Sequence, residues 1–356
     1  MPTARRIWVS ALGTATALAL LGTAGCSGGG GEQKSAEQTL VIADGGGSYH
    51  DSQMKTTFLP FQEKTGITVD VQSYDYSLGA IKAQARGAGS WDVVSIGNPI
   101  SEADQAELFA PIDYGVVKQP GLPEDAKLKY QTLYVGYARV PAYRTDKFDT
   151  PPQTWADIWD TERFPGTRQM ENYPVGTLEV ALMADGVAPE DLYPLDVDRA
   201  LAKIDELMES GKVIWWAAGA EMVQNFANGV ADIGVGWNGR LIQAQNEGFP
   251  VDYTLDGAII QGTSWAVMKD SKRKDLAMQF IDFATSPEVA AADAADFVGN
   301  VPMNADAIPL MDADLADKIP SNPKHADTIA GWVDWSWWSE NFDAVYEKWQ
   351  EWFANH

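Results

Sequence analysis

The chain has 356 residues, with 50 Asp and Glu against 26 Lys and Arg, a formal charge of −24; so acidic a surface repels nucleic acid and anionic lipid headgroups. One cysteine excludes an intrachain disulfide and a Cys-rich metal site, and the three histidines, His50, His325 and His356, exclude a His-rich one. With 45% hydrophobic residues and 14 Trp, a chain of this length has material for two cores and is too long for one.

The N-terminus reads as an export signal. Arg5 and Arg6 precede an apolar Ala/Leu-rich run without an acid, and small residues lead to Cys26. That run is too short and weakly apolar for a spanning helix. Removing the first 25 residues takes the formal charge from −24 to −26. Cys26 is followed by "SGGGGEQKSAEQ", a flexible tether by composition. A lone Cys in this place resembles a bacterial lipobox, in which it becomes the lipidated N-terminus; Thr23 departs from the usual Leu, and the bland alternative is a secreted protein with an idle Cys.

Beyond the tether, Leu40–Ala43 is a short apolar strand broken by Gly45–Gly47. Met54, Phe58 and Phe61 then recur at helical spacing, Gly66 stops that helix, and "ITVDVQS" alternates as a strand. This β-α-β unit implies a parallel sheet with a right-handed crossover. "SWDVVSIGN" supplies another buried strand and turn. Further on, Ala200, Leu201, Ile204, Leu207 and Met208 form one helix face, "KVIWW" a strand, "AEMVQNFANG" a helix closed by Gly229, and "ADIGVG" a strand. A helix in "DLAMQFIDFATSPEVAAADAADFVGN" stops at Pro287 and restarts beyond it. The tail places Phe342, Val345, Tyr346, Trp349, Trp352 and Phe353 on one face, with Ser339 as the expected cap.

"GVGWNGR" contains a literal G-x-G-x-x-G at Gly234, Gly236 and Gly239. A dinucleotide site would need it after the first strand of a β-α-β unit, whereas it comes late in the chain and Trp237 would obstruct a pyrophosphate. Asp256 lies at the right distance for a ribose contact, but Gly248 and Pro250 break the intervening strand. The glycines then turn the chain at a strand end, where Trp237 offers a flat wall and Arg240 a planar fork for a carboxylate. The chain has no nucleophile elbow, Walker loop or H-E-x-x-H. Its many carboxylates leave a glycosidase open on spacing alone.

The tether together with "PFQEKTGITVDV", "WDVVSIGN", "TWADIWDTERFPGTRQM" and "FIDFATSPEVAA" resembles the spermidine/putrescine-binding-like family of extracellular solute-binding proteins of bacterial ABC importers, which includes members specific for 4-aminobutyrate. The resemblance implies an α/β fold of the type II periplasmic-binding-protein class, two lobes with the ligand between them. Lobe one would take 38–140 and 264–310, lobe two 141–263 and 311–356, with crossings at "ARVPAYRTDKF" and "IIQGTSWAV". It further implies a monomer on the extracellular face of the cytoplasmic membrane, held only by the lipid on Cys26, delivering a small solute to an ABC permease and its ATPase without a cofactor.

Trp237, Asn238 and Gly239 match the family's "WNG" signature, and Arg240 follows as in its 4-aminobutyrate-type members; a rim salt bridge is the alternative role for Arg240. Polyamines require carboxylates, yet the polyamine-type acidic positions carry Tyr173, Gly176 and Thr263 here. The 4-aminobutyrate type also places Asp where Thr263 stands. Either the ligand lacks an ammonium, or Asp44, Asp51 or Glu171 meets it. Tyr49, in the loop "DGGGSYHDS", is expected to pack on the ligand beside a helix N-terminus that can receive an anion. Trp335 is the expected cleft residue of "VDWSWWSEN", and Trp215 and Trp216 must point to opposite faces. These residues imply a receptor for a small carboxylate-bearing solute, amino-acid-like or another organic acid. The alternatives are a polyamine-binding protein and, more remotely, a secreted enzyme such as a glycosidase or oxidoreductase.

Overall fold

The computed structural model describes residues 38–87 and 89–356; the export signal, Cys26 and the tether lie outside the described residues. Twelve strands form one mixed sheet. They are β1 (Thr39–Asp44), β2 (Thr68–Ser73), β3 (Val93–Ile96), β4 (Phe109–Ala110), β5 (Thr132–Arg144), β6 (Thr167–Glu171), β7 (Lys212–Trp216), β8 (Ile233–Trp237), β9 (Val251–Tyr253), β10 (Ile259–Met268), β11 (Val301–Pro302) and β12 (Gly331–Trp332). The main path runs β2-β1-β3-β10-β5-β8-β6-β7, with the four short strands pairing to β5 or β10. β1 pairs in parallel with β2 and β3, and β6 in parallel with β7 and β8. Each half therefore has its first strand in the middle. Between them the long antiparallel pair β5 and β10 crosses from one half to the other.

Side chains along the crossing strands show the handover. Tyr134 and Val135 of β5 pack with Phe58, Phe61 and Phe280, whereas Ala138, Val140 and Ala142 pack with Trp216, Val235 and Leu178. On β10 the order reverses: Ile259 and Ile260 join the second core, Trp265 and Val267 the first. Two cores are thus sewn together by two strands, each of which is buried on both sides of the crossing.

The helices form where the periodicity places them. Ala200, Leu201, Ile204 and Leu207 are the buried face of Val197–Ser210, and Gly66, at φ 74°, closes Leu59–Thr65 in the left-handed conformation that favours glycine. Pro287 opens Pro287–Asp296 at its first position, after Lys274–Ala284 has ended. Trp216 is buried, while Trp215 turns the other way against Trp349, Trp352 and Phe353. The tail helix spans Trp335–Ala354 and differs from expectation at its start. Asp334, not Ser339, caps it, its carboxylate accepting from Trp337 N at 2.9 Å. Ser339 lies one turn inside and accepts from Gln105 Nε2 at 3.1 Å. The buried Glu179 fixes this helix to the second core, accepting from Trp338 Nε1 (2.8 Å), Tyr193 Oη (2.6 Å) and Gly176 N (2.7 Å). Among the described residues no helix is long and apolar enough to cross a membrane.

The glycines of "GVGWNGR" do not turn the chain. Gly234 and Gly236 lie within β8 and Gly239 in the first turn of the helix Asn238–Asn246. Their purpose is close approach: a Cβ on Gly234 would collide with the main chain of Gln169 on β6, and one on Gly239 would meet the main chain of Val298 and Gly299. Asn238 seals the same junction, accepting from Ala138 N (2.8 Å) and donating to Gly299 O (2.9 Å).

At the crossing itself sits a buried ion pair. Arg139 of β5 donates through Nε to Glu171 Oε2 at 2.7 Å and through Nη1 to Gln261 Oε1 of β10 at 2.8 Å. Gln261 in turn donates to Gly97 O, at the end of β3, at 3.2 Å. Burial pushes the Glu171 carboxyl up from its ordinary value, and the Arg139 charge beside it pulls it back.

Two outcomes follow in urea denaturation. Gly234→Ala combines an unfavourable φ of 149° with a main-chain collision, and should cost about 3 kcal/mol or more. Arg139→Met and Glu171→Leu should each cost about 3–5 kcal/mol, because each strands a buried charge, while the double variant should be more stable than either single one.

Candidate functional site

Parallel strands deliver their carboxyl ends to one region, where loops diverge and a ligand can enter. Here that region holds a cavity of about 380 Å³. Gly46 and Tyr49 reach it from the end of β1, Tyr76 from β2, and Gly97 and Asn98 from β3. Trp237 and Arg240 reach it from β8 and the helix after it, and Tyr137 and Thr263 from the two crossing strands. A larger recess of about 660 Å³ lies around Phe109, Val116 and Met278, but none of β1–β3 or β6–β8 ends in it.

Trp237 is held as a rigid wall. Its ring meets Trp216 edge-on at 5.2 Å and Tyr137 at 4.8 Å, and its Nε1 donates to Glu171 Oε2 at 3.2 Å. Gly219 lies beneath the ring, where a Cβ would stand 2.8 Å from it. The same carboxylate oxygen thus serves Arg139 and Trp237, which joins the crossing strands to the cavity wall.

Arg240 is the cavity's one charged side chain; among the described residues lining it there is no Asp, Glu or His. Arg139, Arg144, Arg163, Arg199 and Arg273 each hold a carboxylate at 3.0 Å or closer. Arg240 holds none among the described residues, and its guanidinium carbon stands 5.8 Å from the centre of the Phe297 ring. A rim salt bridge is therefore not its role in this structure. Tyr49 meets the same ring edge-on at 5.3 Å, so Phe297 is a wall common to Arg240 and Tyr49. Thr263 lies at a bulge in the β5–β10 pairing, where the register shifts between Thr263 and Ser264.

Tyr49, Trp237, Arg240 and Thr263 are therefore brought together, and two expected neighbours are not. Asp44 is 1% exposed and is engaged by Gly46 N (2.9 Å) and His50 Nδ1 (2.7 Å). Trp335 is buried with Leu122, Leu133 and Met303, away from the cavity. Of the other acids considered for an ammonium, Glu171 is occupied by Arg139 and Trp237, and Asp51 is exposed and does not line the cavity. Tyr173 donates to Asn98 Oδ1 at 3.0 Å, and Gly176, at φ 83°, leaves room for Arg139, which a Cβ would meet at 2.5 Å.

Tyr76, Tyr137, Asn98, Gln243, Phe297 and Asn300 complete the lining without having been singled out from sequence. Tyr76 has a φ of 58°, rare for a residue other than glycine. The turn that holds it is marked by Asp75, whose carboxylate accepts from Ser77 N at 3.0 Å. Its ring lies over Gly45 and Gly97, which have no side chains to displace it.

Comparison with known proteins agrees with this architecture. The family model of bacterial extracellular solute-binding proteins matches residues 57–327. A gamma-aminobutyric acid-binding protein of Pseudomonas aeruginosa is 31% identical over 329 residues, covering 89% of this chain and 91% of that protein. The spermidine/putrescine-binding periplasmic protein of Escherichia coli is 24% identical over 286 residues, covering 76% and 79%. A solved ABC transporter substrate-binding protein from Bradyrhizobium japonicum superposes with a TM-score of 0.80 at 32% identity, covering 88% of this chain and 99% of that one. This chain belongs to the bacterial extracellular solute-binding proteins that serve ABC transporters, with their two-lobe α/β fold, and is a binding protein, not an enzyme.

Proposed function

We propose that this member binds a small carboxylate-bearing solute and hands it to an ABC permease and its ATPase. Lobe one (38–140 with 264–310) and lobe two (141–263 with 311–356) close on the ligand, and the closed form is the one the permease takes up. The observation that carries the reading is the pairing of one uncompensated cation, Arg240, with a cavity lining devoid of carboxylates. Such a cavity suits an anion; a polyamine would bring charges that nothing there neutralises. Arg240 fixes the carboxylate, Trp237 and Tyr49 flank the body of the ligand, and Thr263 offers a neutral hydrogen bond. Cleavage after residue 25 and lipidation at Cys26, with 26–37 as tether, keep this monomeric receptor on the extracellular face of the membrane.

The experiment is a thermal-shift screen of the processed chain against carboxylates and ω-amino acids on one side and diamines and polyamines on the other. A ligand at 100 times its Kd adds about 2.7 kcal/mol of stability. Stabilisation by carboxylates is the expected result; stabilisation by polyamines alone would overturn the reading. Arg240→Ala should then weaken the best carboxylate by on the order of 2–5 kcal/mol in calorimetric titration, and a loss smaller than a few-fold in Kd would remove Arg240 from the site.

A further inference from the structure

The cavity has no acid on its surface, but one lies just behind it. Asp293, on the helix Pro287–Asp296, is 6% exposed. It shares a helical face with Val289 four residues before it and Phe297 four residues after, so its carboxylate is turned inward among apolar neighbours. Oδ2 accepts from Nδ2 of Asn300 at 2.7 Å, whereas the buried Oδ1 has no partner. The Tyr49 hydroxyl is close enough to bias its titration, yet sends its proton to Tyr134 Oη, 3.4 Å away. Asn300 and Tyr49 both line the cavity.

A buried carboxylate oxygen without a donor is costly, and here it lies behind the two polar groups beside Phe297. We propose that Asp293 is a positioning residue for specificity: it holds the Asn300 amide by its nitrogen, so that Asn300 Oδ1 faces the cavity as an acceptor, and thereby selects carboxylates that carry a hydrogen-bond donor, hydroxyl or ammonium, away from the carboxylate. This rests on the reading of Arg240 as the carboxylate anchor. It supplies the acid that the neutral Thr263 leaves wanting, on a different element.

Titration supports the assignment. Burial pushes the Asp293 carboxyl up to about 7, the Asn300 amide and the Tyr49 hydroxyl holding it down and Asp296 pushing it further up. The titratable groups facing it are Tyr49 from the helix Gly47–Gln53, Tyr134 from β5 and Asp296 on its own helix. Asp296 is itself held by Lys55 of the π-helical segment Met54–Phe58 at 3.4 Å. Among the described residues, Lys274–Ala284, Val301–Pro302 and Ala305–Leu310, which also pack on this helix, bring no charge that shifts it. Because the folded carboxyl is raised, its contribution to stability is complete below the ordinary carboxylate range and is lost as pH rises through about 7. A donor bound beside it relieves that loss, so preference for such ligands should grow over the same interval.

The test is calorimetric titration of the processed chain with butyrate, 4-hydroxybutyrate and 4-aminobutyrate between pH 5.5 and 8.5. The wild type should favour at least one of the two donor-bearing probes over butyrate by about tenfold or more, with the ratio increasing through pH 7. Preference for 4-aminobutyrate alone assigns an ammonium; preference for both, or for 4-hydroxybutyrate alone, assigns a hydroxyl. In Asp293→Asn the ratio should collapse to within a few-fold of unity and lose its pH dependence, and in Asn300→Leu it should collapse at every pH. If Asp293→Asn does not fold, Asn300→Leu and the wild-type pH profile decide. Equal affinity for the three probes in the wild type, or a preference that survives in the variants, overturns this inference and leaves the carboxylate reading standing. Failure of the wild type to bind any of the three overturns this inference, while the carboxylate reading stands or falls by the thermal-shift screen.

Discussion

The contact on which the rest of the structure depends is the one between Arg139 and Glu171. A buried charged pair depends on further hydrogen bonds to its partners, and here those run in three directions, although Nη2 of Arg139 is buried without a partner. One guanidinium nitrogen ties β5 to β6, another ties β5 to β10 through Gln261, and the carboxylate oxygen that receives the first also receives Trp237. The strands that join the two cores and the aromatic wall of the ligand cavity are therefore set by one electrostatic centre. A hydrophobic substitute could fill the space, but it could not fix the direction of an indole.

Around that centre the cavity has an uneven distribution of chemistry. Its rings are numerous and immobilised by one another, its neutral amides are few, and among the described residues its only charge is Arg240. Aromatic faces accept many ligand shapes, so they confer affinity without much discrimination, while the placement of charge decides the sign of the ligand. Relatives of this chain are named for gamma-aminobutyric acid and for polyamines, ligands that differ in the charge they carry.

Much of the fold was legible in the sequence because its signals are local. Alternation in "ITVDVQS", the face Ala200–Leu201–Ile204–Leu207 and the stop at Gly66 each depend on neighbours within a few residues. Tyr49, Trp237, Arg240 and Thr263 could be named because residue chemistry and the family pattern coincide there. Contacts between distant segments are the part that did not show. The need for glycine at position 234 comes from Gln169, more than sixty residues away, so a close approach looked like a turn. Among the three tryptophans in "VDWSWWSEN", composition cannot tell a core face from a cavity face, and Trp335 is core. Asp293 stands in an alanine-rich helix, four residues from both Val289 and Phe297, and an acid on such an apolar stripe is a local signal that only the packing interprets.

The meeting of Gly239 with Gly299 has a consequence of another kind. Two stretches of bare main chain, one after β8 and one after the helix Pro287–Asp296, lie against each other with Asn238 pinned beside them. Nothing but backbone separates them, so a single methyl group there would act as a wedge. A side chain at either position would hold the two segments apart at the edge of the cavity that both glycines line. The packing of these two segments and the shape of the cavity are therefore one constraint, and the absence of two side chains serves both.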